Sequence, residues 1–128
     1  MAAPPLEQRP VVILVEEEAD ERTALREHLD TADFQVLETD ETDAALSLLE
    51  TRSDIGAIVT DAHVPGRIDG FELARMVRER WPQIGVVMTS GHSDSKGGPV
   101  PEGSEFVAKP YLLEHLVPAL RKLTAPSG

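Results

Sequence analysis

The sequence predicts an α/β fold in which an open, mostly parallel sheet is covered by helices on both faces. Short apolar runs rich in β-branched residues alternate with longer segments of helical periodicity along the whole chain. The apolar runs are continuous rather than alternating, which is typical of strands buried on both faces. The length of 128 residues suits one domain.

The first elements follow the order strand, helix, strand, helix. Residues 11–15 form the longest purely apolar run and predict the first strand. The polar segment after it has apolar residues at helical spacing, which predicts a helix from about Asp20 to Asp30. Residues 34–39 are a weaker second strand. A second helix begins near Glu41 or Thr42, either of which can lie at its cap.

The same alternation continues to the end of the chain. A third helix is expected from Asp69 to Arg80, where Trp81 precedes a proline that disfavours helical backbone. A last helix is indicated by leucine and valine at helical spacing between Leu113 and Leu123. The three remaining strands are predicted at residues 55–60, 85–90 and 105–108.

Residues 91–104 lie where this alternation requires another helix. They contain four glycines, two prolines and almost no apolar residues. Glycine raises the entropy cost of ordering a helix, and proline removes a backbone donor. We therefore expect the fourth helix to be shortened or replaced by a loop. Residues 1–10, with three prolines, are expected to form a flexible tail, residues 11–124 the domain, and residues 125–128 a short tail.

Composition excludes several classes of protein. The net charge is −11, and twelve of the 23 acidic residues lie between residues 16 and 43 beside only two arginines. Such a surface repels a phosphate backbone, so we expect no direct binding of nucleic acid. The absence of cysteine excludes disulfides and thiolate metal sites. No apolar run could span a membrane and the N-terminus does not resemble a signal peptide, so we expect a cytoplasmic protein with no membrane partner.

Polar residues follow four of the predicted strands, and in an open parallel sheet the carboxyl ends of the strands form the binding edge. Carboxylates that meet there repel one another unless a cation lies between them, and their oxygens suit Mg²⁺. A lysine could neutralise phosphate charge, a hydroxyl could donate to a phosphoryl oxygen, and an aspartate could form an acyl phosphate. The residues in question are Glu16, Glu17 and Glu18, Asp61, Thr89 and Ser90, and Lys109.

Four segments together resemble the receiver domains of bacterial two-component response regulators, the chemotaxis-regulator-like family. They are ILVEEE (13–18), TDAHVPGRIDG (60–70), VVMTSGH (86–92) and FVAKPY (106–111), and the resemblance covers about residues 11–123. It implies a doubly wound, flavodoxin-like sheet of five parallel strands in the order 2-1-3-4-5 within residues 11–124.

The resemblance also implies a role for individual residues. Asp61 would accept a phosphoryl group from a histidine kinase or a histidine phosphotransfer protein. Mg²⁺ would be held by Glu16, Glu17, Asp61 and the backbone carbonyl of His63. The switch hydroxyl would belong to Ser90, with Thr89 as the alternative because the alignment is ambiguous by one residue. Lys109 would bind the phosphoryl group, and Phe106 would occupy the aromatic position that responds to it.

Several further expectations follow from the resemblance. We expect a single-domain regulator that is not an ordinary enzyme, that loses its phosphoryl group slowly, and that signals through contact with an unidentified downstream protein as a monomer or weak homodimer. The family usually has Asp where this chain has Glu17, and the extra methylene predicts weaker Mg²⁺ binding. A pseudo-receiver that binds partners without cycling phosphate is therefore the alternative. A metal-dependent phosphohydrolase is disfavoured because no cap domain or second acid beside Asp61 is apparent.

Overall fold

The computed structural model describes residues 5, 8–90, 101–109 and 112–125. These residues form five strands and four helices. In chain order they are β1 (Val11–Val15), α1 (Ala19–Thr31), β2 (Gln35–Thr39), α2 (Thr42–Thr51), β3 (Ile55–Asp61), α3 (Gly70–Arg80), β4 (Gly85–Ser90), β5 (Glu105–Ala108) and α4 (Leu112–Thr124).

The five strands form one sheet in the order β2-β1-β3-β4-β5. Every neighbouring pair is parallel. The predicted fold class and strand order are therefore confirmed. Because all strands run the same way, their carboxyl ends meet at one edge of the sheet, which is where the candidate residues lie.

Two apolar cores cover the two faces of the sheet. Ile13 and Val15 of β1 face the core that α2 and α3 complete, and Val12 and Leu14 face the core of α1 and α4. Every residue of β1 is buried. This explains why the first strand reads as a continuous apolar run rather than an alternating one.

Two helices begin at a residue whose side chain caps the first turn. Glu18 begins α1 by accepting a hydrogen bond from the backbone of Asp20 (3.3 Å). Asp69 begins α3 in the same way, from the backbone of Glu72 (2.9 Å). At α2 the cap residue is Glu41, whose side chain makes no capping bond. Of the two predicted cap residues, Glu41 lies at the cap because its backbone is extended, and Thr42 is the first residue of the helix.

The segment between β4 and β5 is described only from residue 101 onward. Residues 101–104 form a turn in which the Ser104 amide donates to the Pro101 carbonyl (3.0 Å). Arg78 of α3 donates to the Glu102 carbonyl (3.2 Å) and so attaches this turn to the domain. The prediction of a shortened or missing helix over 91–104 otherwise lies outside the described residues, as do most of the two predicted tails. Among the helices that are described, none has the length and apolarity needed to cross a bilayer.

Candidate functional site

Backbone hydrogen bonds align the carboxyl ends of β3, β4 and β5. The Ala62 amide donates to the Thr89 carbonyl (2.9 Å), and the Lys109 amide donates to the Ser90 carbonyl (3.0 Å). Each bond lies one residue past the end of a strand. The residues that follow β3 and β5 are therefore held at ordinary strand spacing from the end of β4, about 4.8 Å, before any side chain makes a contact.

Lys109 lies at the centre of the site. Its Nζ atom is 3.0 Å from Oδ2 of Asp61, 3.4 Å from Oε1 of Glu16 and 2.6 Å from Oε2 of Glu21. Burial opposes the charged form of this lysine, but hydrogen bonds to Glu21 and Asp61 and the charges of Asp61 and Glu16 outweigh it and raise the pKa of Lys109. The site therefore holds a permanent ammonium among three carboxylates.

Asp61 has both carboxylate oxygens in hydrogen bonds. Oδ1 accepts from the backbone amide of His63 (3.0 Å), and Oδ2 accepts from Lys109. Its side chain is 13% exposed. The carboxylate is thus fixed in orientation by a backbone donor and a cation while remaining open to a reactant from solvent.

Glu16 is the buried acid of the site. Its Oε2 atom accepts from the backbone amide of Glu18 (3.0 Å), and Oε1 faces Lys109. Burial raises the pKa of the Glu16 carboxyl. The hydrogen bond from the Glu18 amide and the charge of Lys109 lower this pKa, whereas the negative charges of Asp61 and Glu21 raise it further. The excess of negative charge at this edge is an environment in which a cation would be stabilised.

Three acids could together hold a metal ion in the described part of the chain. Glu16, Glu21 and Asp61 each offer a carboxylate oxygen, and these oxygens lie within 4.8 Å of one another. Hard oxygen donors are the ligands that Mg²⁺ prefers, so the donor set fits that ion. Glu17 is not in this group. It is exposed, and its backbone carbonyl accepts a hydrogen bond from the Arg22 guanidinium (3.4 Å).

Glu21 was not predicted from the sequence. It lies in the first turn of α1, which begins beside the carboxyl end of β1. The available signal is its place in the first turn of the helix that directly follows the carboxyl end of the first strand. The strand-end pattern alone could not include it because Glu21 belongs to a helix.

The other predicted residues lie at the end of β4, after β3 and on β5. Thr89 and Ser90 are both 2% exposed at the end of β4, and Thr89 is the register partner of Asp61 in β3. His63 is exposed, and its ring packs edge to face on Phe71 with the two ring centroids 6.3 Å apart. Phe106 is 42% exposed on β5. It lines a cavity of about 520 Å³ between β5 and α4, whose lining includes neither Lys109 nor the three acids around it.

The loop after Asp61 is attached to the start of α2. The Thr42 amide donates to the Pro65 carbonyl (3.0 Å), and the Thr42 hydroxyl donates to the Ile68 carbonyl (2.8 Å). Thr42 is completely buried. Gly66 has φ +135°, and a Cβ there would lie 2.0 Å from the Thr42 hydroxyl oxygen. These contacts fix the loop that carries His63.

Gly70 allows α3 to start directly against the backbone of the site. Its amide donates to the Ala62 carbonyl (3.1 Å). A Cβ at Gly70 would lie 2.1 Å from the Asp61 carbonyl oxygen and 2.9 Å from Cα of Ala62. The absence of a side chain is therefore a condition for the observed position of the Asp61 backbone.

Comparison with known proteins points to one family. The family described as "Response regulator receiver domain" matches residues 12–121. The chain is similar to the hydrogenase transcriptional regulatory protein HoxA of Cupriavidus necator, with 32% identity over 95% of this chain and 26% of that protein. It is also 29% identical to the C4-dicarboxylate transport transcriptional regulatory protein DctD of Pseudomonas aeruginosa, over 92% of this chain and 26% of that protein. The chain thus spans about a quarter of the length of these relatives.

Solved structures show the same fold. A response regulator receiver protein from Sinorhizobium medicae has a TM-score of 0.82 and 27% identity, covering 92% of this chain and 96% of its own. The response regulator protein TrrA from Thermotoga maritima, solved in complex with Mg²⁺ and BeF, has a TM-score of 0.80 and 20% identity, covering 89% of this chain and 98% of its own. The second likeness is one of fold alone.

Proposed function

Because the chain belongs to the response regulator receiver domain family, we propose that Asp61 accepts a phosphoryl group from a histidine kinase or a histidine phosphotransfer protein. The observation that carries the proposal is the Asp61 carboxylate itself. It lies at the carboxyl edge of the sheet, partly open to solvent, with Lys109 Nζ 3.0 Å away and the buried Glu16 behind that lysine.

The proposed transfer has Asp61 as nucleophile. A carboxylate oxygen forms a bond to phosphorus while the phosphorus–nitrogen bond of the donor phosphohistidine breaks, and the electron pair stays on the imidazole nitrogen. The Asp61 oxygens are held in place by the His63 amide and Lys109. Lys109 then offsets charge on the phosphoryl oxygens, and the hydroxyl of Ser90, or of Thr89, donates to one of them.

Receiver domains generally bind Mg²⁺ at an acidic site, and we propose that this one does so with Glu16, Asp61 and the backbone carbonyl of His63. When bound, Mg²⁺ supplies positive charge that offsets the repulsion between carboxylates and phosphoryl oxygens. Glu17 is the remaining predicted ligand. Its exposure and its place outside the acid group support weak rather than tight binding of the metal.

The output is proposed to be contact with a downstream protein, by a single receiver domain in the cytoplasm that acts as a monomer or weak homodimer. Phe106 contributes an exposed ring to the surface of β5 that would respond to phosphorylation. The domain is proposed to lose its phosphoryl group slowly without acting as an ordinary enzyme. The position of Glu17 favours one second candidate, a pseudo-receiver that binds partners without cycling phosphate.

Labelling with acetyl phosphate in the presence of Mg²⁺ tests the proposal. We expect the intact mass to rise by one phosphoryl group in the wild type and in Asp40→Asn, an exposed control, but not in Asp61→Asn. Hydroxylamine should release the group, because it cleaves an acyl phosphate but not a serine phosphate. A wild type that stays unlabelled, with both acetyl phosphate and partner kinases, would favour the pseudo-receiver.

A further inference from the structure

Lys109 has no spare donor for a phosphoryl group in this structure. A lysine ammonium carries three N–H donors. Three carboxylates surround that ammonium, at 3.0 Å for Asp61, 3.4 Å for Glu16 and 2.6 Å for Glu21. Phosphorylation would replace the single negative charge of the Asp61 carboxylate by nearly two and would add three acceptor oxygens beside the same lysine. One of the three carboxylates must therefore give up its contact.

The three carboxylates differ in how easily they can leave. Asp61 carries the phosphoryl group in the proposed function, so it remains beside Lys109 whichever of its oxygens accepts, and the added oxygens compete with the two glutamates. The Glu16 side chain is only 6% exposed and is also fixed by the Glu18 amide. The Glu21 side chain is 48% exposed, and its carboxylate accepts a hydrogen bond from Lys109. Water can replace that contact at little cost, because exposed ion pairs are weak.

We propose that Glu21 is a displaceable anion that occupies Lys109 until a phosphoryl group takes its place. This inference rests on the proposed function of Asp61 and goes beyond it. Glu21 does not touch the phosphoryl group. It is a positioning residue that acts through Lys109, holding the ammonium between α1 and β5 in the unmodified domain. Its release would also free the first turn of α1 from the site, so that phosphorylation changes the surface of that helix.

The experiment measures binding of beryllofluoride, a phosphoryl mimic, in saturating Mg²⁺ to Glu21→Gln and to the control Glu27→Gln. Both variants remove one negative charge from α1, but Glu27 is exposed six residues further along the helix. We expect Glu21→Gln to reach half-saturation at about two- to fivefold lower concentration, the range of an exposed ion pair. Glu27→Gln should match the wild type. In 1 M salt the difference should shrink, because the screening length falls to about 3 Å.

Three other outcomes would overturn the inference in distinguishable ways. Equal affinity of Glu21→Gln and wild type shows that Glu21 does not compete with the mimic. Weaker binding of both the mimic and Mg²⁺ by Glu21→Gln shows that Glu21 is instead a ligand of the cation. If neither the wild type nor Glu21→Gln takes up the mimic in excess of Asp61→Asn, the proposed function itself fails and this inference with it. Thermal unfolding of each variant confirms that the fold is retained.

Discussion

Replacing Gly70 by alanine should lower the stability of the domain, although alanine favours helices more than glycine does. The new Cβ would lie 2.1 Å from the Asp61 carbonyl oxygen, 2.9 Å from Cα of Ala62 and 3.0 Å from the Ala62 carbonyl oxygen. All three atoms belong to the backbone of Asp61 and Ala62. No side-chain rotation can relieve the contacts, so α3 or the end of β3 must move by about 1 Å to restore ordinary separations.

The magnitude follows from two opposing contributions. The helix preference of alanine over glycine contributes at most about 1 kcal/mol to stability. Forcing extra volume into a packed site costs about 1–3 kcal/mol. We expect a net loss of about 1–2 kcal/mol, which lowers the melting temperature by about 3–8 °C for a domain of this size. Because the Asp61 backbone is displaced, labelling by acetyl phosphate should slow as well.

Urea and thermal unfolding, with Gly56→Ala as the matched control, test this expectation. A Cβ at Gly56 would meet Cγ2 of Thr124 and the Val11 carbonyl oxygen at 3.5 Å, which is ordinary contact. That variant should be as stable as the wild type or slightly more stable. If Gly70→Ala proves at least as stable as Gly56→Ala and is labelled at the same rate, the close packing of α3 on Asp61 is not what requires glycine.

Three further expectations concern the surroundings of the site. Thr42→Val removes the hydroxyl that donates to the Ile68 carbonyl (2.8 Å) and should lower the free energy of unfolding by about 1–2 kcal/mol. Thr42→Ser keeps the hydroxyl and should retain most of the wild-type stability. Equal stability of the two variants in urea would contradict this role. Added Mg²⁺ should raise the melting temperature by linkage. Glu17→Asp should tighten Mg²⁺ binding severalfold in calorimetry, and the control Glu27→Asp should leave Mg²⁺ binding unchanged. If Glu17→Asp binds Mg²⁺ no more tightly than the wild type, Glu17 is not a ligand of the ion.

The fold was predictable because its strands are locally encoded. The predicted bounds of β4 and β5 coincide with the observed Gly85–Ser90 and Glu105–Ala108. A short continuous apolar run rich in β-branched residues favours a strand covered on both faces, and the tertiary structure agrees with that pattern. The helix ends shift by about one residue where a cap outside the periodic segment decides them, as Glu18 does for α1.

The site was predictable only where it depends on strand ends. Asp61 and Lys109 meet because parallel strands finish at the same edge. The contact of Glu21 with Lys109 depends instead on how α1 is rotated about its axis, which the packing of Leu25 and Leu29 on the sheet determines. No local pattern reports that rotation. The roles of Glu17, Ser90 and Phe106 remain predictions.

The backbone hydrogen bond between Lys109 and Ser90 makes the position of Lys109 independent of the length of the connection between β4 and β5. Lys109 lies 19 positions after Ser90, yet its amide is held by the Ser90 carbonyl at 3.0 Å. The lysine is therefore positioned by the neighbouring strand and not by the length of the connection that leads to β5. Residues can be inserted into or deleted from that connection without moving the ammonium, whereas a shift of one residue in the pairing of β5 would turn Lys109 to the opposite face of the sheet. The length of the connection can therefore change while Lys109 stays beside Asp61.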